Sequence, residues 1–564
     1  MRSLATLLLC LLLALFPSCN ESSFEPLSDS DLEILYAQSQ YDFVDFFEKT
    51  QFFPSAMSRM MPMLNFTYGT AVSADGMRRS SDIFFQALNP SLNELIRSGE
   101  AKEWYFLSGT SKILKAYAYQ TIIDLNDSTE LPTVNGKQQS LNGNTNFNFG
   151  FPPDSNYFRI INLFNEGISD LQKTSKLTEV DVFYGGNANQ WIKLANSLKL
   201  RALNNIRLVH PEAQRDINEL LQEGNFIESN ADNWEFKYKG GQNLRQLLPP
   251  LFEQSYPRAP MIYMSNYYMW LLVGEKGVED PRSRFYFYRQ IPDFSLPSRT
   301  AVCFNFDPVR PDSIPGGRPA HYEEVDPNMP FCIADFAGYY GRDHGGGSFG
   351  HGENSRTLVG IYPHGGKFDD NSFEIGLNNT RARGESIAIL PICQLASLYF
   401  IRAEAALTLG TLDDPAEMLE EGMRASFERV LSSSSILDPN FIADSCGMPD
   451  CQSTGEILDE IEAQIEPYIA YVLAAFNAAS SQEDKMDILM KEHYISLWGN
   501  GIEAYNNYRR TAMPLNIQPT LSDFGSDEVS FPRRTRVFNQ RFGETPTFEN
   551  GPVFWDNNDA SLFR

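Results

Sequence analysis

The densest set of chemically capable side chains lies in one glycine-rich stretch, Gly338-Tyr-Tyr-Gly-Arg-Asp-His-Gly-Gly-Gly-Ser-Phe-Gly-His351. Gly346-Gly-Ser348-Phe-Gly350 spells the nucleophile-elbow pattern G-x-S-x-G, which needs a strand before the serine and a helix after it. The flanking residues carry neither pattern. Gly345 to Gly350 spells G-x-G-x-x-G, which cradles a phosphate only inside a strand–turn–helix unit, again missing here. Asp335, Asp343, His344, His351 and His364 hold carboxylate and imidazole donors suited to zinc or a similar ion. No two of them stand at i, i+4 on a helix and no HExxH occurs, so no metal ligand is assigned and no cofactor is expected. Sugar binding asks for flat apolar faces against pyranose C–H surfaces, beside planar hydrogen-bonding groups for the hydroxyls. Phe336, Tyr339, Tyr340, Arg342, Asp343 and His344 offer both within one short run, and these six are the expected ligand contacts. Tyr263 to Trp270 and Ser73-Ala-Asp-Gly-Met-Arg78 are weaker candidates. The alternative is that the glycines only turn the backbone, so that the tyrosines and polar groups meet another loop.

This stretch belongs to a segment, residues 240–385, that is dense in Pro, Gly, Asp and aromatics. Pro249-Pro250, Pro292, Pro297, Pro308, Pro311, Pro315, Pro327 and Pro330 punctuate it. Long ordered loops in a compact protein are usually functional, and something rigid must hold them. Helical spacing on either side supplies that frame. From Asp31 the apolar positions Leu32, Leu35, Tyr36, Phe43, Phe46 and Phe47 recur at three- and four-residue steps. Similar stripes run over Glu103 to Asp124, Phe158 to Leu171 and Asn189 to Leu208, with a shorter helix at Tyr263 to Val273. Pro391 suits a helix first turn, and its stripe ends at Gly410, a natural C-terminal stop. Asp414-Pro415 opens the next helix, followed by Ile457 to Phe476 and Asp484 to Tyr505. The expected fold is mostly α: a tetratricopeptide-like scaffold of helical hairpins with long irregular loops packed over it. Its parts are a helical scaffold at 31–239 and 386–510, a loop-rich insert at 240–385 and a C-terminal coil at 511–564, all one domain over 31–564.

Charges and tryptophans within these stripes read as structural. Arg201 and Arg509-Arg510 are expected to pair with carboxylates, Glu404 with such an arginine, and Trp104, Trp191 and Trp498 to pack. Cys303 with Cys332, and Cys446 with Cys451, are either disulfides or idle thiols. Cys393 reads as a buried free thiol.

At the N-terminus, Arg2 precedes an apolar run from Leu4 to Phe16, and Ser18-Cys19 precedes a polar, acidic stretch. That is the layout of a secretory signal peptide over 1–18, shorter than the ~20 residues of a membrane-spanning helix. Ser18-Cys19 looks like a bacterial lipobox, so Cys19 is expected to become the lipidated N-terminus of an exported protein and 19–30 a flexible tether. The formal net charge of −26 counts against nucleic acid, whose phosphates need Lys and Arg. A hydrophobic content of 42% with 13% aromatic is ample for a sizeable core.

Several segments together resemble one family, the SusD/RagB nutrient-binding outer-membrane lipoproteins. They are Ile113-Leu-Lys-Ala-Tyr-Ala-Tyr-Gln120, Trp191-Ile-Lys-Leu-Ala-Asn-Ser-Leu-Lys-Leu-Arg201, Asp280-Pro-Arg282 and Gly360-Ile-Tyr-Pro363. Further on come Ala403-Glu-Ala-Ala406, Glu492-His-Tyr494 and Gly501-Ile-Glu-Ala-Tyr505 with Arg509-Arg510. One departure is Asp124-Leu-Asn-Asp-Ser-Thr-Glu-Leu-Pro132, where relatives tend to carry Asp-x-Tyr-Gly-x-Ile-Pro. The resemblance implies four tetratricopeptide-like helix pairs and a cell-surface position beside a SusC-type TonB-dependent transporter. It implies capture of an oligosaccharide or, in some members, a peptide, without chemistry. Against it stand a lipid-anchored hydrolase using the Asp343/His344 loop and a structural surface protein with no small ligand.

Overall fold

Local signals set most helix ends. Ser28 accepts a hydrogen bond from the Asp31 amide and starts α1 (Asp29–Met57). In the computed structural model the described residues are 25–64, 68, 79–80, 82–126, 133–134, 137–138, 153–238, 249–256, 262–292, 318–335, 337–346, 355–374, 387–442, 452–521, 531–535 and 551–563. The expectations for the leader, for Cys19 and for the first part of the tether lie outside them. After α1 come α2 (Asn89–Ala101), α3 (Tyr105–Asn126), α4 (Pro153–Leu171), α5 (Ala188–Asn205) and α6 (Ala213–Glu223). Asn187 caps α5 through its side-chain oxygen.

The loop-rich segment contributes α7 (Asn266–Val273), capped by Ser265. The C-terminal helices are α8 (Leu395–Leu409), α9 (Pro415–Leu431), α10 (Thr454–Ala478), α11 (Gln482–Ser496) and α12 (Gly501–Thr511). Gly410 closes α8 in the left-handed conformation at φ 68°, which only glycine adopts without strain. Asp414 caps α9 with Pro415 in its first turn, and Ser453 with Glu456 forms a reciprocal capping box on α10.

Consecutive helices pack on one another. α2 lies on α3, α3 on α4 and α4 on α5; α8 lies on α9, α9 on α10 and α10 on α11, while α8 also meets α5 and α11. α12 returns to α1, joining the two ends of the scaffold. Short strands tie the rest: β1 (Thr133–Val134) with β2 (Lys137–Gln138), β3 (Trp234–Lys237) with β6 (Ile389–Cys393), and β4 (Phe287–Tyr288) with β5 (Leu358–Val359), all antiparallel.

Two elements differ from the sequence reading. Pro391 does not open a helix; it lies in β6 opposite Glu235, and the helix begins at Leu395. Ile389, Leu390 and Ile392 are apolar on both faces, and the β3 backbone offers them a partner that helical spacing cannot reveal. The stripe over Asp484 to Tyr505 is two helices, because Asn500 accepts the Glu503 amide and caps a new one.

Among the described residues the packing forms two large apolar cores and a small third cluster of Ile291, Cys332, Ile333 and Tyr340. The larger joins α1 to α6 with α8, α9, α11 and the far end of α10, and holds Trp104, Trp191 and Trp234. The second gathers Met57 to Met63 at the end of α1, α7, β4, β5 and the loops to Phe368, and holds Trp498. Trp555, near the C-terminus, is buried in the first core and donates its indole N–H to Asp124 Oδ1 at 2.9 Å, while the Thr535 amide donates to the Leu125 carbonyl.

Candidate functional site

Beneath the loops lies a buried ionic framework, and it is assembled from the segments named above for their resemblance. Glu404 on α8 is fully buried and takes Arg510 on α12 bidentately, at 2.7 and 2.6 Å, with Arg207 at 2.7 Å. Burial pushes its carboxyl upward, but the charges of Arg207 and Arg510 outweigh that and bring its pKa down to about 2. Arg201 on α5 pairs with Glu503 on α12 and stands 3.6 Å from Asp124. Arg282 is clamped by Asp280 at 2.6 Å and by Glu492 on α11 at 3.0 Å, and donates to Ser426 on α9. The expectation that Arg201 and Arg510 are structural agrees with this geometry, although their carboxylate partners Asp124, Glu503 and Glu404 sit on helices and not on loops.

The candidate loop is positioned by backbone first. Arg342 donates its amide to the Met264 carbonyl and accepts from the Asn266 amide, so residues 264–266 and 342 run as a parallel bridge. The Gly345 amide reaches the Met63 carbonyl, the Leu521 amide reaches the His344 carbonyl, and Tyr340 exchanges bonds with Thr357. Gly338 sits at φ 96°, where a Cβ would run into the Ile291 carbonyl, so this turn requires glycine.

Asp343 is the hub of these ties. One carboxylate oxygen accepts from Asn266 Nδ2 at 3.0 Å and Gln518 Nε2 at 3.1 Å; the other accepts the Cys332 amide at 2.7 Å. Burial raises its pKa above the ordinary carboxylate range, and these three donors hold the rise in check. His344 is fully buried beside Tyr68 and Arg59, and burial together with the Arg59 charge holds its imidazole well below its usual pKa. Tyr339 donates to Glu279 under the Arg289 guanidinium, Tyr340 lies under Arg356 at 4.2 Å, and Arg342 covers Tyr263 at 5.2 Å.

The structure therefore brings together Tyr339, Tyr340, Arg342, Asp343 and His344, all of them buried, and their contacts run inward to neighbouring segments. Phe336, Ser348, His351 and the whole of the 73–78 loop lie outside the described residues. Asp343 is engaged by amides, the ring nitrogens of His344 are buried with no hydrogen-bond partner among the described residues, and the two side chains share no hydrogen bond. Among the described residues no group of three or more His, Cys, Asp or Glu stands close enough to hold a metal ion. Cys332 is disulfide-bonded, Cys303 is outside the described residues, and Cys393 is a free thiol pushed up to about 12 by burial.

Sequence reasoning missed Arg59. It is fully buried at a positive φ of 64°, and its guanidinium bonds the Gln518 carbonyl at 2.8 Å and the Tyr68 hydroxyl at 2.7 Å. An arginine within Met57-Ser-Arg-Met-Met-Pro-Met63 was the available signal, a charge in an otherwise apolar run.

Residues 27–294 match a family model described as starch-binding, associating with the outer membrane, and residues 384–546 match the SusD and RagB outer-membrane lipoproteins. Three solved structures share the fold. A SusD homologue from Bacteroides fragilis is 15% identical, with a TM-score of 0.61 over 94% of this chain and 99% of that one. Another, from Bacteroides uniformis, is 18% identical, with a TM-score of 0.57 over 94% and 100%. A chitin-binding SusD homologue from Flavobacterium johnsoniae is 16% identical, with a TM-score of 0.54 over 86% and 89%. No curated protein matches the chain in sequence.

Proposed function

This chain belongs to the SusD and RagB family of outer-membrane lipoproteins, and from that premise we propose that it captures an oligosaccharide at the cell surface and delivers it to a SusC-type TonB-dependent transporter. A nutrient-binding role goes with the family; the oligosaccharide, the transporter and the absence of turnover are the finer parts of the reading. The observation that carries it is the pairing of both family-model matches with one helical fold, shared by a homologue described as chitin-binding. The chain is anchored by acyl chains on Cys19. The anchored 338–346 segment, with Phe336, Tyr339, Tyr340, Arg342, Asp343 and His344, shapes the loop face on which the ligand is held. Buried side chains in that set act by fixing the loop, since a preformed surface loses less entropy on binding.

The test is calorimetry and affinity electrophoresis of the soluble chain that follows Cys19, against chito-oligosaccharides, starch oligosaccharides and a peptide pool. Binding to one glycan class, with co-purification of a barrel partner from membranes, is the expected result. Binding only to peptides would move the ligand to the peptide class, and binding to nothing would sink the reading. Labelled palmitate should mark the full-length protein and vanish from Cys19→Ser.

A further inference from the structure

The C-terminal part of α1 forms one wall of a narrow slot far from the Asp343 hub in sequence. Met60, Met61, Leu251, His364 and Trp498 complete it, and Glu48 faces it from α1. Half-exposed Phe52, at 53%, marks where the slot meets solvent. Two polar groups stand in this apolar setting. Glu48 is 7% exposed and accepts the Tyr238 hydroxyl. His364 is 6% exposed, packs edge-on against Trp498 at 5.0 Å, and its Nε2 makes no hydrogen bond. Buried polar atoms are nearly always paired, so an orphan ring nitrogen on a cavity wall points to a group that enters from outside.

Size and charge choose that group. The cavity is about 40 Å³, room for the end of one aliphatic chain and not for a sugar ring. When ionised, Glu48 favours a cation: Lys49, the positive group beside it, is already paired with Asp45 at 3.6 Å, and nearby Glu253 adds a further negative charge. A neutral hydroxyl would leave the buried carboxylate unbalanced. A metal ion would find only Glu48 and His364. With its proton on Nδ1, His364 presents Nε2 as an acceptor, so both polar groups ask for N–H donors.

We propose that the slot between Glu48 and His364 binds a primary alkylammonium group, whether a free amine or a lysyl side chain, separately from the oligosaccharide-binding face. The ammonium donates to the Glu48 carboxylate and to His364 Nε2, while its methylene stem lies against Met60, Met61 and Leu251. Burial raises the Glu48 pKa to about 7, and burial lowers that of His364 to about 3, so the imidazole is neutral throughout the working range. Only the ionised form of Glu48 attracts the ligand. Acidification through its pKa therefore weakens binding; the titratable groups that surround Glu48 are Asp45, Lys49, Glu253 and Tyr238.

The experiment is calorimetric titration of the soluble chain with n-butylamine, which stays protonated, and with n-butanol, its neutral counterpart, at both pH values. Butylammonium should bind at pH 8 and weaken roughly 30-fold at pH 5.5, as a carboxyl titrating at about 7 requires. Butanol should bind at least tenfold more weakly at pH 8. Glu48→Gln should abolish the preference for the ammonium. Equal binding of the two compounds, no dependence on pH, or no binding of butylammonium would overturn the proposal using the native chain alone, whatever the variant's stability. A parallel titration with Nα-acetyl-lysine amide separates the sources: comparable binding assigns a lysyl side chain, and its failure beside a positive butylammonium result assigns a free amine.

Discussion

The ionic framework of the helices and the Asp343 hub of the loops bury charge in different ways. In the framework, carboxylates are matched by guanidinium groups: Glu404 by Arg207 and Arg510, Glu503 by Arg201, and Glu492 by Arg282 from the loop segment, which also pairs with Asp280 beside it. In the loop segment, Asp343 is surrounded by amides, and Arg342 and Arg356 lie over aromatic rings, while Arg289 keeps a carboxylate partner in Asp369 at 2.6 Å. Paired charges joining α12 to α8 and to α5 specify one helix register, because any slip leaves an ion alone in the core. A carboxylate satisfied by neutral donors fixes only the loop it touches. A scaffold of the first kind can carry loops of the second kind that vary without disturbing it.

This contrast breaks most directly at Glu404. Glu404→Ala strands Arg207 and Arg510 without an anion and should cost about 3–5 kcal/mol in a urea titration. A cost below about 1 kcal/mol would show that the framework does not hold the helices together. Acid sharpens the contrast, because the two carboxyls respond with opposite sign. Glu404 has a folded pKa of about 2 against an ordinary 4.5, so its contribution is complete above pH 4.5. As pH falls toward 2 the native state should lose about 3 kcal/mol from this group, and Glu404→Gln should flatten that limb. Asp343 is raised, so the folded state holds its proton more tightly than the unfolded chain. Stability should therefore decline as pH rises through its folded pKa, and Asp343→Asn should remove that decline. The smallest effect is the loop hub itself. Asp343→Ala leaves the Cys332 amide, Asn266 and Gln518 without their acceptor, for about 2 kcal/mol, whereas Asp343→Asn should cost about half as much. Thermal unfolding orders these variants, and a larger loss from Asp343→Ala than from Glu404→Ala would reverse the comparison.

The scaffold was legible because its signals are local. Apolar spacing of three and four residues, Gly410 after α8 and Asp414-Pro415 before α9 act within a turn or two of where they are read. Glu404 was readable as a paired carboxylate because it lies among alanines on an apolar stripe. The direction of Asp343 was not readable, since its partners Asn266 and Gln518 are 77 and 175 residues away. An aspartate in a tyrosine- and glycine-rich loop has the same letters whether it faces a ligand or an amide cluster. Pro391 was misplaced for a related reason: a strand pairs across sequence, and β3 lies more than a hundred positions upstream.

The Trp555 indole bonded to Asp124 ties the final turn of the polypeptide to one of the earliest helices. A chain made from its N-terminus therefore carries Asp124 without its indole donor until residue 555 has been added, so the first core closes only after nearly all of the helices that line it exist.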